Sequence, residues 1–62
     1  MINTIEAIEA VINNLEKELA TIKSGKGWYA AARRARKHSL ELGMLCKEFR
    51  KVSIEAERAD KA

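Results

Sequence analysis

The chain has 62 residues and a formal net charge of +3 at pH 7, and it contains no proline, three glycines, one cysteine and one histidine. This length excludes more than one domain, so residues 1–62 form a single unit, and one cysteine with one histidine excludes an internal disulfide or a single-chain Cys/His zinc site. Because so short a chain buries little surface, its fold needs additional stabilisation, and association with another chain is the source that remains.

Targeting signals are missing from the sequence. Residues 1–4 (Met-Ile-Asn-Thr) lack the basic and apolar regions of a secretory signal, and no apolar run approaches the roughly 20 residues that span a bilayer. A single unpaired cysteine fits a reducing compartment. We therefore expect a cytoplasmic protein with no membrane partner.

The first predicted helix covers about residues 4–23. Asn3 can cap its free N–H groups, and Glu6 can return the bond in a capping box. Aliphatic residues follow at alternating steps of three and four, as in a heptad seam: Ile5, Ile8, Ile12, Leu15, Leu19 and Ile22. The Ser-Gly-Lys-Gly segment at residues 24–27 ends this helix, because glycine tolerates the left-handed geometry of a helix C-terminus.

The second predicted helix covers about residues 28–59 and carries a matching seam: Trp28, Ala31, Ala35, His38, Leu42, Leu45, Phe49, Val52, Ala56 and Ala59. Two apolar stripes joined by a short turn predict an all-α antiparallel helix hairpin. At 1.5 Å per residue the helices measure about 28 and 48 Å, so residues 49–56 find no partner within the chain.

A second copy would cover this unmatched end, so we expect a homodimeric four-helix bundle or coiled coil. The predicted oligomer interface consists of Ile5, Ile8, Ile12, Leu15, Leu19, Trp28, Leu42, Leu45, Phe49 and Val52. Gly43 is unfavourable inside a helix, where glycine costs about 1 kcal/mol relative to alanine.

Charge is divided unevenly between the two halves of the chain. Residues 1–22 carry four glutamates and one lysine, whereas residues 23–62 carry 11 basic and five acidic residues. This asymmetry indicates a polyanionic partner, and arginine favours phosphate through its planar fork of donors. The predicted phosphate-binding residues are Lys23, Lys26, Arg33, Arg34, Arg36, Lys37, Lys47, Arg50 and Lys51. A row of glutamates along one edge, at 41, 48 and 55, can pair with Arg34, with Lys37 or with a facing helix.

The sequence offers no sign of base reading or of catalysis. It lacks a helix-turn-helix and zinc-finger spacing, and its lone histidine, His38, falls on the apolar seam, where a packing role is expected. We expect an inert Cys46, no catalytic residues, no metal, no cofactor and no small-molecule substrate. The alternative hypothesis is a coiled-coil protein–protein adaptor with no nucleic-acid role, which would pair through its seams and through the row Leu40, Met44 and Ile54. A membrane-surface helix suits the heptad seams less well.

An ordered set of residues resembles a known family. Its members are the Gly-Lys-Gly-Trp-Tyr-Ala-Ala-Ala-Arg-Arg-Ala-Arg run at residues 25–36, then Ser39, Leu42, Lys47, Phe49-Arg50-Lys51 and Ser53-Ile54-Glu55-Ala56-Glu57. Over roughly residues 15–58 this pattern is similar to the small bacterial linker-histone-like proteins of the chlamydial type. In that family an Arg-x-x-Arg segment follows a Lys-Gly helix end, and it falls here on Arg33 and Arg36.

This resemblance implies a nucleoid-associated, histone-like protein that binds and compacts DNA without catalysis. The chlamydial members carry a Lys/Ala-rich tail that residues 1–62 lack, so we expect DNA to be bound by the folded face. Counterion release from the phosphate backbone, independent of base sequence, is the expected source of affinity.

Overall fold

The computed structural model describes the backbone of residues 1–61 and the side chains of residues 1–60. Helix α1 covers Ile2–Ser24 and helix α2 covers Trp28–Lys61, and residues 1–61 contain no strand. The helices pack on each other as a hairpin that measures 53 × 14 × 14 Å. Since the 34 residues of α2 extend about 51 Å at 1.5 Å per residue, α2 alone sets the long axis. The predicted two-helix hairpin is confirmed, with α2 ending two residues later than expected.

Helix α1 begins earlier than the capping box predicted. Its N-cap is Met1, whose carbonyl accepts a 3.1 Å hydrogen bond from the Ile5 N–H, and no side chain caps the helix. Asn3 therefore lies inside the first turn. An N-cap residue needs a non-helical backbone, which a residue within the turn does not have. The predicted cap at Asn3, with Glu6 as its return partner, is wrong.

The turn at residues 24–27 forms where glycine predicted it. Gly25 has a φ of 83°, in the left-handed region, and its N–H donates to the Ile22 carbonyl at 3.1 Å. Gly27 also has a positive φ, 65°, and its carbonyl accepts the Ala31 N–H at 3.2 Å, which opens α2. Two left-handed residues within three positions reverse the chain at little steric cost because neither carries a Cβ.

The core of the hairpin is small and lies mainly near the turn. Val11, Ala31 and Ala35 are its buried apolar residues, with exposed fractions of 7%, 0% and 7%. The two alanines allow a close approach of the helices near the turn, whereas Val11 lies farther along the hairpin, in a groove that it shares with Leu45. These three side chains bury little area. Most other members of the predicted seams are half-buried: Ile5, Ile8, Leu15, Ile22, His38, Leu42, Leu45, Phe49 and Val52.

Helix α1 is rotated relative to its predicted seam. The row turned toward α2 consists of Thr4, Ile8, Val11, Leu15, Glu18 and Ile22, all buried or half-buried. Ile12 and Leu19, expected in the seam, remain 38% and 44% exposed. Glu18 lies on this side of α1, where it pairs with Arg34, and the same rotation turns Val11 rather than Ile12 toward α2. One flank of the predicted seam is consequently left open to solvent.

The start of α2 also differs from the predicted seam. Trp28 is 43% exposed, and its ring stacks on Tyr29 with centroids 3.9 Å apart and an interplanar angle of 26°. The first fully buried position of α2 is therefore Ala31.

An ion pair between the helices marks their register. The Arg34 guanidinium donates from Nε to the Glu18 carboxylate. Counting outward from this pair at 1.5 Å per residue, the start of α1 comes level with about residue 50 of α2. Beyond that point Val52 and Ser53 are half-buried, and every residue from 54 to 60 is exposed. The predicted overhang of α2 is confirmed, although it begins slightly later than residue 49.

Candidate nucleic-acid interface

All nine predicted phosphate-binding residues are exposed. At 100° per residue, Arg33, Arg36, Lys47 and Lys51 project from the side of α2 opposite the buried Ala31 and Ala35. We call this side the outer face of α2. It consists of Tyr29, Arg33, Arg36, Leu40, Met44, Lys47, Lys51, Ile54 and Arg58. Because α1 covers only the inner side of α2, this basic face is open along the helix.

The basic residues form two clusters. The turn cluster comprises Lys23, Lys26, Arg33, Arg36 and Lys37, and the distal cluster comprises Lys47, Arg50 and Lys51. Ten residues separate the innermost members, Lys37 and Lys47, which is about 15 Å along the helix axis. Within this interval the outward positions are apolar. The outer face therefore presents two patches of positive charge with an apolar gap between them.

Arg34 differs from the other predicted phosphate-binding residues. Its side chain is 55% exposed, but it forms the ion pair with Glu18, whose side chain is only 15% exposed. Its charge is thus already balanced within the chain. The sequence allows a glutamate at 41, 48 or 55 as a partner for Arg34, but the observed partner is Glu18. The sequence does contain a signal for it, since Glu18 interrupts the apolar row on α1 that faces α2.

His38 lies at the edge of the helix interface, away from the outer face. Its side chain is 21% exposed, and its Nδ1 atom is buried without a hydrogen bond to any described residue. The nearest carboxylate oxygen, Oε1 of Glu41, is 3.9 Å away, too far for a hydrogen bond. This half-buried position agrees with the predicted packing role.

Three apolar side chains on the outer face are largely exposed. The exposed fractions are 73% for Leu40, 71% for Tyr29 and 66% for Met44, and Ile54 follows at 46%. The sequence placed Leu40, Met44 and Ile54 on the basic side of α2, and that placement is correct. Apolar side chains at the centre of a basic face require an explanation beyond charge.

A groove of about 580 Å³ lies beside the outer face and shares Met44 with it. It is lined by Ala7, Ala10, Val11, Asn14, Glu41, Met44, Leu45 and Glu48. Two carboxylates at its rim repel phosphate, so this groove is unsuited to nucleic acid. On charge, the outer face is therefore a better candidate for binding a polyanion than the groove.

Other classes of site find little support in the described residues. No group of three His, Cys, Asp or Glu side chains among them is placed to hold a metal ion. No helix of the described chain is both long enough and apolar enough to cross a membrane. Cys46 is a free, half-buried thiol.

Comparison with known proteins agrees with this basic helical architecture. The family model described as Histone H1-like protein Hc1 matches residues 2–59, which include α1, the turn and nearly all of α2. No match was found among curated proteins or among solved structures. The match confirms the resemblance predicted from the sequence. The chain therefore belongs to the Hc1 family of histone H1-like proteins, a family with a DNA-binding, histone-like role.

Proposed function

We propose that this protein is nucleoid-associated and binds duplex DNA independently of sequence, by contacting the phosphate backbone with the outer face of α2. The observation that carries the proposal is the open basic face in a chain of histone-like family. Of the nine predicted phosphate-binding side chains, all exposed, Arg34 is the one with an ion pair among the described side chains. The remaining eight are available to phosphates, with Lys23 and Lys26 extending the surface at the turn.

The shape of the face favours backbone contacts over base reading. From Arg33 to Lys51 the outer face extends about 27 Å along one straight helix. Its charged groups are spread in two clusters over this length, and a duplex presents phosphates throughout such a length. Contacts of this kind position a protein on DNA without specifying the bases. Affinity then comes from counterion release. A plot of the logarithm of the binding constant against the logarithm of the salt concentration has a slope of about −0.9 for each phosphate neutralised.

The test is fluorescence anisotropy with two unrelated duplexes of equal length across a salt series. If Arg33, Arg36, Lys47 and Lys51 each neutralise one phosphate, the slope is about −4 per chain and the two duplexes bind equally well. Lys51→Glu should weaken binding to both duplexes alike and make the slope shallower by about 1.

Lys17→Glu is the matched control, because Lys17 is exposed on α1 and the change in charge is the same. We expect a much smaller effect from it. Equal losses from the two variants would show that only net charge matters and would overturn the assignment to the outer face. An absence of binding even at low salt would overturn the DNA-binding proposal and favour the coiled-coil adaptor.

We also propose that two copies associate into a four-helix bundle or coiled coil. The hairpin core consists of one valine and two alanines, which is little for an independent fold. The open flank of α1 carries Ile12 and Leu19, spaced by seven residues, and the overhang of α2 adds uncovered surface. Of the predicted interface, Ile12, Leu19 and Trp28 are exposed in the single chain, so they are free to contact a partner.

Sedimentation equilibrium tests this association. Ile12→Glu should shift the protein toward monomer, because it places a charge in the interface. Asn13→Glu adds a charge at the neighbouring exposed position and should leave the mass unchanged. A wild-type protein that stays monomeric at all concentrations would overturn the proposal.

A further inference from the structure

The centre of the outer face is apolar in a way that phosphate binding does not explain. Leu40 and Met44 are 73% and 66% exposed, and they are one helical turn apart. Arg36 precedes Leu40 by one turn, and Lys47 follows Met44 by nearly one turn. Scattered surface apolar residues are ordinary, but these two form a pair bracketed by positive charge on both sides. A ligand that satisfies this surface must be anionic at its edges and apolar between them.

Duplex DNA offers this arrangement at its minor groove when a base step is opened, because the exposed faces of the base pairs are apolar. The groove is about 6 Å wide with a phosphate backbone on each side, and α2, about 10 Å in diameter, cannot enter it. The roughly 15 Å between Lys37 and Lys47 lets α2 lie across the groove, with the turn cluster on one backbone and the distal cluster on the other. Leu40 and Met44 are then the side chains that face the bases.

The glycine at position 43 fits the same arrangement. Gly43 is exposed, and a Cβ built there would meet nothing within 4 Å, so packing inside the hairpin does not require glycine. Its lack of a side chain leaves the helix surface bare beside Met44. Glycine at such a position allows a ligand backbone to approach the helix closely.

We propose that Leu40 and Met44 enter the minor groove and wedge between base pairs, so that binding bends the duplex toward the major groove. DNA-bending proteins insert apolar side chains such as leucine and methionine between base pairs, beside arginine and lysine. The inference rests on the proposed backbone binding by the outer face and adds a second consequence to it. Charge holds the duplex, and the apolar pair deforms it.

The experiment measures bending and binding on the same sample. A duplex of about 25 base pairs with a donor and an acceptor dye at its ends reports the bend by energy transfer, while anisotropy reports affinity and salt slope. We expect the wild-type protein to bend the duplex by at least about 20°. The double variant Leu40→Ala/Met44→Ala should lose more than half of that bend and keep the salt slope, since no phosphate contact is removed.

Ile2→Ala is the matched control, because Ile2 is 65% exposed and lies on α1, which covers the inner side of α2 and not the outer face. It should leave the bend unchanged. Circular dichroism checks that the double variant folds, which is expected because both side chains are exposed and alanine favours helix.

The outcomes separate this inference from the proposed function. Salt-dependent binding by the wild-type protein without any bend would overturn the wedge and leave backbone binding intact. A bend that persists in the double variant would overturn the assignment to Leu40 and Met44. Loss of self-association by that variant in sedimentation would assign the pair to a contact between copies and overturn the wedge. No binding at any salt concentration would overturn the proposed function and the wedge together.

Discussion

The half of the hairpin next to the turn and the overhanging end of α2 are built from the same kind of helix but are held in different ways. Near the turn, Ala31 and Ala35 are buried against α1, and Arg34 is paired with Glu18. In the overhang, every residue from 54 to 60 is exposed. This contrast shows that helical periodicity alone does not indicate how stable a region of the helix is, because tertiary packing supplies most of the stability of a helix in a protein.

The largest expected effect is a difference in amide hydrogen exchange between these two regions. Amides in residues 34–42 should exchange at least about 100-fold more slowly than those in residues 54–60, because opening the overhang breaks few contacts with α1. Native-state exchange followed by NMR measures this. Equal protection in both regions at every protein concentration would contradict the difference in packing between them. Protection of the overhang that grows with concentration would show that a second copy covers it.

A change of volume in the core should have the next largest effect. Ala31 is completely buried, so Ala31→Leu should lower the free energy of unfolding by about 1–3 kcal/mol through overpacking. The neighbouring Ala30 is exposed, and Ala30→Leu should change stability by no more than about 0.5 kcal/mol. Urea denaturation followed by circular dichroism measures both. Similar losses from the two variants would contradict the tight packing of the helices near the turn.

The glycines should respond to alanine with opposite signs. Gly25 has a φ of 83°, so Gly25→Ala should cost about 1 kcal/mol or slightly more. Gly43 is helical with open space around it, so Gly43→Ala should stabilise the protein by up to about 1 kcal/mol. Thermal and urea unfolding of the two variants test this pair. A loss of stability in both would mean that position 43 needs glycine for a reason within the fold.

The smallest expected effect comes from the ion pair. Because the Arg34 side chain is 55% exposed, Glu18→Gln should lower the free energy of unfolding by less than about 1 kcal/mol, and the loss should shrink at high salt. The same substitution frees the Arg34 guanidinium, so DNA affinity should rise slightly. Glu16→Gln, at an exposed position of the same helix, is the control for the change in charge. Equal effects from both would mean that the pair contributes nothing specific.

Much of the fold followed from local sequence signals. Gly25 and Gly27 marked the turn because both adopt the positive φ that other residues avoid. The alternating three- and four-residue steps predicted both helices. The outer face was predictable as well, since helical geometry alone places Arg33, Arg36 and Lys51 opposite the buried alanines.

The packing details were not predictable in this way. A heptad pattern identifies an apolar stripe, but the stripe on α1 is wider than the strip that α2 covers. Nothing local decides whether Val11 or Ile12 faces α2. The ion pair between Glu18 and Arg34 joins residues 16 apart in sequence, so it depends on the register of the hairpin.

The sequence by itself determined the two helices, their turn, the unequal helix lengths and the concentration of positive charge on α2. These properties depend on backbone preferences and on periodicity, which act over a few residues. Only the tertiary structure decided which flank of α1 is covered, which arginine is paired and which apolar side chains remain exposed. Those outcomes depend on how two particular surfaces meet, with Ala31 and Ala35 buried near the turn and Val11 buried farther along α1.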